Sequence, residues 1–162
     1  LYEHIFGKAN FKSVNYINAT ATDSEKECQR YSKLLKENPT DIVVMGIGEN
    51  GHIAFNDPDE ADFNDKAMVM PVQLDDICRQ QQVNDGCFND ISEVPKTALT
   101  LTVPTLFAGN YLFCTVPAET KANAVKEVMT TDNIDEHCPA TIMRKHANTV
   151  MYCDADSGKY LL

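Results

Sequence analysis

An α/β fold of three layers, with a mainly parallel sheet and helices on both faces, is what the sequence predicts, and three observations predict it. Apolar strand-like runs alternate with helix-like segments along all 162 residues. The run Ile42-Val43-Val44-Met45 is continuously apolar, as strands covered on both faces are. That run empties into a glycine-rich turn, Gly46-Ile47-Gly48-Glu49-Asn50-Gly51-His52. The carboxyl end of such a strand is where α/β proteins place their chemistry.

The elements follow in order. Leu1 to Phe6 reads as the end of a helix. Thr22-x-x-Glu25 reads as a capping box, opening a helix in which Cys28, Tyr31 and Leu35 recur at helical spacing. Asn38-Pro39 stops it. Asp41 to Met45 is the first strand, and Ala67 to Val72 a second, weakened by Pro71. Asp75 to Val83 reads as helix. Thr97 to Val103, rich in β-formers, and Tyr111 to Val116 read as strands. Pro117 to Met129 is a helix with proline near its first turn and Ala122, Val125 and Met129 on one face. Pro139 to His146 reads as helix and Thr149 to Cys153 as the last strand. Helices of this length between strands imply right-handed βαβ crossovers. No repeat, low-complexity tract or linker interrupts the chain, so 1–162 reads as a single α/β domain, large enough to bury a core. Its opening inside a helix end at Leu1 reads as the C-terminal part of a longer domain whose N-terminal part is missing.

Composition narrows the partners. A formal net charge of −10 repels nucleic acid and anionic membranes, so neither is expected as a partner. No apolar run approaches the roughly 20 residues of a membrane helix, and no signal peptide is visible. An anionic small substrate would then depend on a few local cations. The six cysteines form no Cys-x-x-Cys pair and read as reduced thiols of a cytoplasmic protein. His137-Cys138 has no companion at metal-ligand spacing, so no metal is expected.

Gly46-x-Gly48-x-x-Gly51 matches the dinucleotide fingerprint, but that fingerprint needs a helix beginning within the turn and an acid closing the next strand. Asn56-Asp57-Pro58 disfavours the helix, and the strand near Met68 to Val72 ends without the acid. A plainer reading makes the glycines a tight turn and His52 a packing residue. Against it, Asn50, His52, Asn56 and Asp57 fall within eight residues. An imidazole moves protons near neutrality, a carboxylate within reach fixes its tautomer, and glycines let a ligand approach the backbone.

Gly51-His52-Ile53-Ala54-Phe55-Asn56-Asp57-Pro58 resembles the Gly-His-Ile-Ala-Phe-Asn-Glu-Pro signature of the glucosamine-6-phosphate deaminase/isomerase family. Val94-Pro95-Lys96-Thr97-Ala98-Leu99-Thr100 and Cys138-Pro139-Ala140-Thr141 resemble further segments of that family, and Lys121 sits where it has a phosphate-binding lysine. The resemblance implies a Rossmann-like fold and conversion of glucosamine 6-phosphate and water to fructose 6-phosphate and ammonia, with no cofactor or metal. It implies that His52 shuttles a proton between the ring oxygen and the anomeric hydroxyl, with Asn50 and Asp57 orienting it. It also implies substrate binding by Lys121, Gly46, Gly48, Gly51 and Arg79. The partner implied is a small-molecule sugar phosphate, and a homo-oligomer stays open.

The chain also departs from the family. Asn50 replaces an aspartate and can orient His52 without supplying charge. Asp57 replaces a glutamate one methylene longer, which predicts a longer or water-bridged contact with His52. A second phosphate arginine is missing after Arg79, and Asp85 stands nearby. Arg144-Lys145-His146 is either a substitute cation source or an exposed basic helix end. The family's Pro-Thr-Gly-type phosphate loop and the Asp-Glu-Tyr-type motif that carries the proton between C2 and C1 are not found, so the segment is not expected to complete the isomerisation by itself. Two alternatives accompany the enzyme: a non-catalytic sugar-phosphate sensor of the same fold, and a 6-phosphogluconolactonase. The lactonase is disfavoured because its family continues Thr-Ala-Ser where this chain has Ile53-Ala54-Phe55.

Overall fold

The computed structural model describes residues 1–58 and 60–161. A π-helical turn, Tyr2–Phe6, precedes α1 (Ser24–Glu37), β1 (Ile42–Met45), β2 (Val69–Gln73), α2 (Asp76–Asn84), β3 (Thr97–Leu101), α3 (Val103–Phe107), β4 (Tyr111–Val116), α4 (Ala122–Thr130) and β5 (Thr149–Cys153). Short 3-10 segments lie at Ile91–Glu93, Glu119–Lys121 and Pro139–Lys145.

β1, β4 and β5 form a parallel sheet in the order β1-β4-β5. Met45 pairs with Cys114, which pairs in turn with Met151. Alternation turns Leu112, Cys114 and Val116 of β4 inward, all of them fully buried. Cys114 and Val116 share one core cluster with Ala124, Val125 and Val128 of α4 and with Ala140, Ile142 and Met143 of the Pro139–Lys145 segment. Burying each of Val125 and Val128 stabilises the fold by about 1.5–3 kcal/mol, which seats α4 firmly on the sheet. The buried stripe of α4 runs through Val128, and Met129 is exposed.

Several local expectations change. β2 and β3 pair antiparallel in a two-stranded sheet of their own, on which α1 packs, so no crossover joins them to the parallel sheet. β3 stops at Leu101 because Pro104 belongs to the first turn of α3, where it cannot donate to a ladder. Helical cover on the second face of the parallel sheet is not seen among the described residues. There Ile42, Val44, Tyr111, Val150 and Tyr152 stand in register and exposed, Val44 by 76 %. After β1 the described chain makes turns and one isolated bridge, Ile53 with Asn56, where a dinucleotide site would start a helix.

Asp23, one residue beyond the expected Thr22, caps α1 by accepting from Lys26 N at 3.0 Å. Within α1 the buried Glu27 accepts from Arg30 Nε and Nη2, each at 2.7 Å, and from Asn18 N at 2.7 Å. Arg30 also donates to Tyr16 O at 2.8 Å, which fastens the preceding segment to the helix. The Arg30 hydrogen bonds and then the Asn18 amide pull the Glu27 carboxyl down to about 2, from an ordinary 4.5. A depressed carboxyl stabilises the fold above its unfolded value and loses that contribution as pH falls through the folded value. Glu27→Gln is therefore expected to lower the urea midpoint at pH 7, with the gap to the parent closing between about pH 4.5 and pH 2. A gap independent of pH would contradict it.

Candidate functional site

Because β1, β4 and β5 run parallel, the turns that leave them lie at one edge of the sheet: residues 46–57, residues 117–121 and Asp154–Gly158. The first of these turns is held from every side. Ile47 and Ile53 are buried in the core. Gly51 has φ +80°, and a Cβ there would lie 2.5 Å from Cys138 Sγ. Its carbonyl accepts from Ala140 N at 2.9 Å. Ala54 is left-handed at φ 55°, a strain of about 1–3 kcal/mol that the surrounding bonds must offset. Asn56 Nδ2 supplies them, donating to Ile53 O at 2.8 Å and to Leu101 O of β3 at 2.9 Å, while Phe55 N donates to Thr100 Oγ1 at 3.1 Å.

The His52 ring packs against Gly48, where a Cβ would come within 2.0 Å of Cε1 and 2.1 Å of Nδ1. Gly48→Ala is thus expected to push the ring off its partners. The His52 imidazole resonances should shift while the far-ultraviolet circular dichroism stays as in the parent, and unchanged resonances would contradict this packing.

His52 is buried, 7 % exposed. Its Nδ1 lies 2.7 Å from Asn50 Oδ1 and 3.0 Å from Asp57 Oδ1. Asn50 Nδ2 donates to Asp57 Oδ1 at 3.1 Å, which turns its own oxygen towards His52, where it also accepts from His52 N at 3.1 Å. Both neighbours of Nδ1 are acceptors, so in the neutral ring Nδ1 is the nitrogen that carries the proton and Nε2 the one that keeps its lone pair. Burial pushes the Asp57 carboxyl up, but hydrogen bonds from His52 and Asn50, the His52 charge and the Cys78 thiol together outweigh it, so its pKa falls below the ordinary value. Asp57 is then a carboxylate at neutral pH. An imidazole with a fixed tautomer and a buried carboxylate behind it is an arrangement for taking up and returning a proton.

Cys78, on α2, completes the buried cluster. Burial, then the charges of Asp57 and Asp75, push its thiol up to about 12, with Lys121 opposing them. Lys121, half-buried at the N-cap of α4, therefore acts electrostatically on the same locus. One ligand atom each of His52, Asp57 and Cys78 lies within 4.8 Å of the others, a set able to hold a metal ion. Asp57 Oδ2 is buried and has no hydrogen-bond partner among the described residues.

The remaining sequence candidates divide. Gly46 is exposed at the end of β1, its Cβ position 3.2 Å from Thr115 O of β4. The expected lengthening at Asp57 does not occur, because a backbone turn closed by Asn56 brings the shorter side chain into direct contact with His52. Arg79 is not gathered with His52. Its guanidinium donates to Ile91 O at 2.7 Å and Val94 O at 3.3 Å and pairs with Asp76 at 2.9 Å, bracing the segment before β3. Arg144 likewise donates to Thr131 O, and His146 Nε2 lies 2.9 Å from Gly109 O with its ring edge-on to Phe107. These are braces of the fold. Cys78 carried no motif, and only Asp75, whose Oδ1 caps α2 by accepting from Cys78 N at 2.6 Å, marked its position.

The family described as glucosamine-6-phosphate isomerases/6-phosphogluconolactonase matches residues 1–152. The chain belongs to this family. A glucosamine-6-phosphate deaminase of Bacillus cereus (strain B4264) is 34 % identical over 157 residues, which are 97 % of this chain and 58 % of that protein. Glucosamine-6-phosphate deaminase 1 of Giardia intestinalis is 35 % identical over 164 residues, with the same coverage. The solved structure of a monomeric glucosamine-6-phosphate deaminase superposes with a TM-score of 0.79 at 33 % identity, over 86 % of this chain and 56 % of that one. The chain thus spans 58 % of the length of the two relatives. No helix among the described residues is long and apolar enough to cross a membrane.

Proposed function

We propose that the protein converts glucosamine 6-phosphate and water to fructose 6-phosphate and ammonia, with His52 opening the sugar ring. The observation that carries this reading is the Asn50–His52–Asp57 array, which leaves one imidazole nitrogen with a free lone pair. Nε2 takes the proton of the anomeric hydroxyl and returns it to the ring oxygen. The Asp57 carboxylate steadies the transient imidazolium, and the Asn50 amide holds both partners in place. Isomerisation and loss of ammonia then need a second proton carrier between C2 and C1, a role His52 does not fill. Ring opening, proton transfer from C2 to C1, addition of water at C2 and departure of ammonia involve no external oxidant, reductant or group donor, so the chemistry calls for no cofactor. The names of the relatives support the substrate.

Lys121 is the cation we assign to the phosphate. It stands at the N-terminus of α4, where the helix dipole adds to its charge. Lys121→Met is expected to raise KM at least tenfold with a smaller effect on kcat, read from initial rates, and an unchanged KM would contradict the assignment. Gly46, Gly48 and Gly51 are assigned to the binding edge by their place at the carboxyl end of β1. The partner is a small sugar phosphate, and free thiols at all six cysteines suit a cytoplasmic setting.

The deciding assay is ammonia release from glucosamine 6-phosphate by the protein at its full natural length. Release that depends on His52 supports the enzyme. Sugar-phosphate binding without turnover would replace it with a sensor, a reading favoured by the uncharged Asn50 and by the missing second phosphate arginine after Arg79. Rapid hydrolysis of 6-phosphogluconolactone would replace it with the lactonase.

A further inference from the structure

We propose that His52, Asp57 and Cys78 form a binding site for a thiophilic divalent cation of the Zn2+ or Cd2+ type, which shuts the proton-transfer centre when it binds. Only the inhibitory consequence rests on the reading of His52 as a proton carrier. The site itself rests on geometry.

The three ligand atoms, one nitrogen, one carboxylate oxygen and one sulfur, lie within 4.8 Å of one another in a buried setting. A mixed N, O, S set suits the borderline and soft ions that accept tetrahedral coordination, and not Mg2+ or Ca2+, which demand oxygen. The charges balance: a thiolate, a carboxylate and a neutral imidazole bring −2 to a +2 ion, so the occupied site is neutral inside the protein. The independent pointer is Asp57 Oδ2, an acceptor on a 2 % exposed side chain with no hydrogen-bond partner among the described residues. Its neighbour Oδ1 is already tied down by Asn50 Nδ2 at 3.1 Å, the kind of outer bond that orients a metal-binding carboxylate. Three protein ligands leave a fourth position for water or a substrate hydroxyl.

Binding moves two protons. The Cys78 thiol releases its proton to solvent, and the proton on His52 Nδ1 transfers to Nε2 as Nδ1 takes the metal. The net release is one proton per ion, so affinity rises with pH. The tautomer switch removes the Nε2 lone pair that the proposed mechanism uses, which is why occupancy inhibits.

The test uses Cd2+ as the probe, in a Cys87→Ser, Cys153→Ser background that removes the two exposed thiols. Thiolate-to-metal charge-transfer absorption is titrated without substrate. The expected result is one ion per chain with a thiolate band, abolished by Cys78→Ser, and affinity at least tenfold weaker in His52→Gln, which leaves Cys78 in place. Stoichiometry and band unchanged in both variants, or no band at all in the background protein, would overturn the site. Zn2+ inhibition of ammonia release, reversed by chelator and at least tenfold weaker in Cys78→Ser, is the functional counterpart. Absence of ammonia release altogether speaks against the proposed activity, and the absorption titration still decides the site.

Discussion

His52→Gln is expected to lower turnover of glucosamine 6-phosphate by about 10²–10⁴-fold, the range that a positioned acid–base group contributes. Glutamine is the informative replacement. Its amide can still donate to Asp57, whose carboxylate is buried at 2 % exposure and would be costly to leave without that donor. Alanine mixes loss of chemistry with loss of support for the carboxylate, so His52→Ala should show a similar loss of rate with an added loss of stability. If His52 only packs on Gly48, the glutamine variant keeps its rate within a few-fold, and initial-rate measurements at saturating substrate separate the two outcomes.

Asp57→Asn is expected to cost nearly as much, and for a different reason. The carboxylate accepts from both His52 Nδ1 and Asn50 Nδ2. An amide in its place removes the charge that steadies imidazolium and can present a nitrogen to Nδ1, which would favour the tautomer with its proton on Nε2. In serine proteases the analogous exchange costs about 10⁴ in kcat through the wrong tautomer. The expected loss here is about 10²–10⁴-fold, accompanied by a change of imidazole tautomer visible in ¹⁵N chemical shifts. Stability also changes with pH. The lowered carboxyl contributes above its unfolded value and loses that contribution as acid titrates it in the fold, and Asp57→Asn removes this component of the acid transition. A variant with parental rate and parental tautomer would rule out the pairing as the source of activity.

What the sequence discloses depends on how local the cause is. β4 and β5 are readable to the residue because a run of β-formers stops where turn residues begin, at Asn110 and Pro117 and at Asn148 and Asp154. The pairing of β2 with β3 is not readable, since an antiparallel return through α2 and a crossover onto the sheet leave the same apolar pattern. α3 hides for a similar reason: Thr97 to Val103 favours β throughout, and only Pro104 marks the change. The site follows the same rule. Asn50, His52 and Asp57 fall within eight residues, so one tight turn assembles them and the motif shows it. Cys78 arrives from a separate helix by tertiary packing, which no spacing encodes. Arg79 shows the converse. The resemblance implies substrate binding there, yet Arg79 Nη2 donates to carbonyls 12 and 15 residues downstream.

In the proposed chemistry His52 and Asp57 move a proton to open a sugar ring. An open-chain alditol analogue of glucosamine 6-phosphate has no ring to open, so its affinity isolates binding from that step. His52→Gln is expected to bind the alditol within about threefold of the parent while its turnover of glucosamine 6-phosphate falls by about 100-fold or more. Equal losses in alditol affinity and in turnover would make His52 a binding residue, and parental turnover would deny it any chemical part.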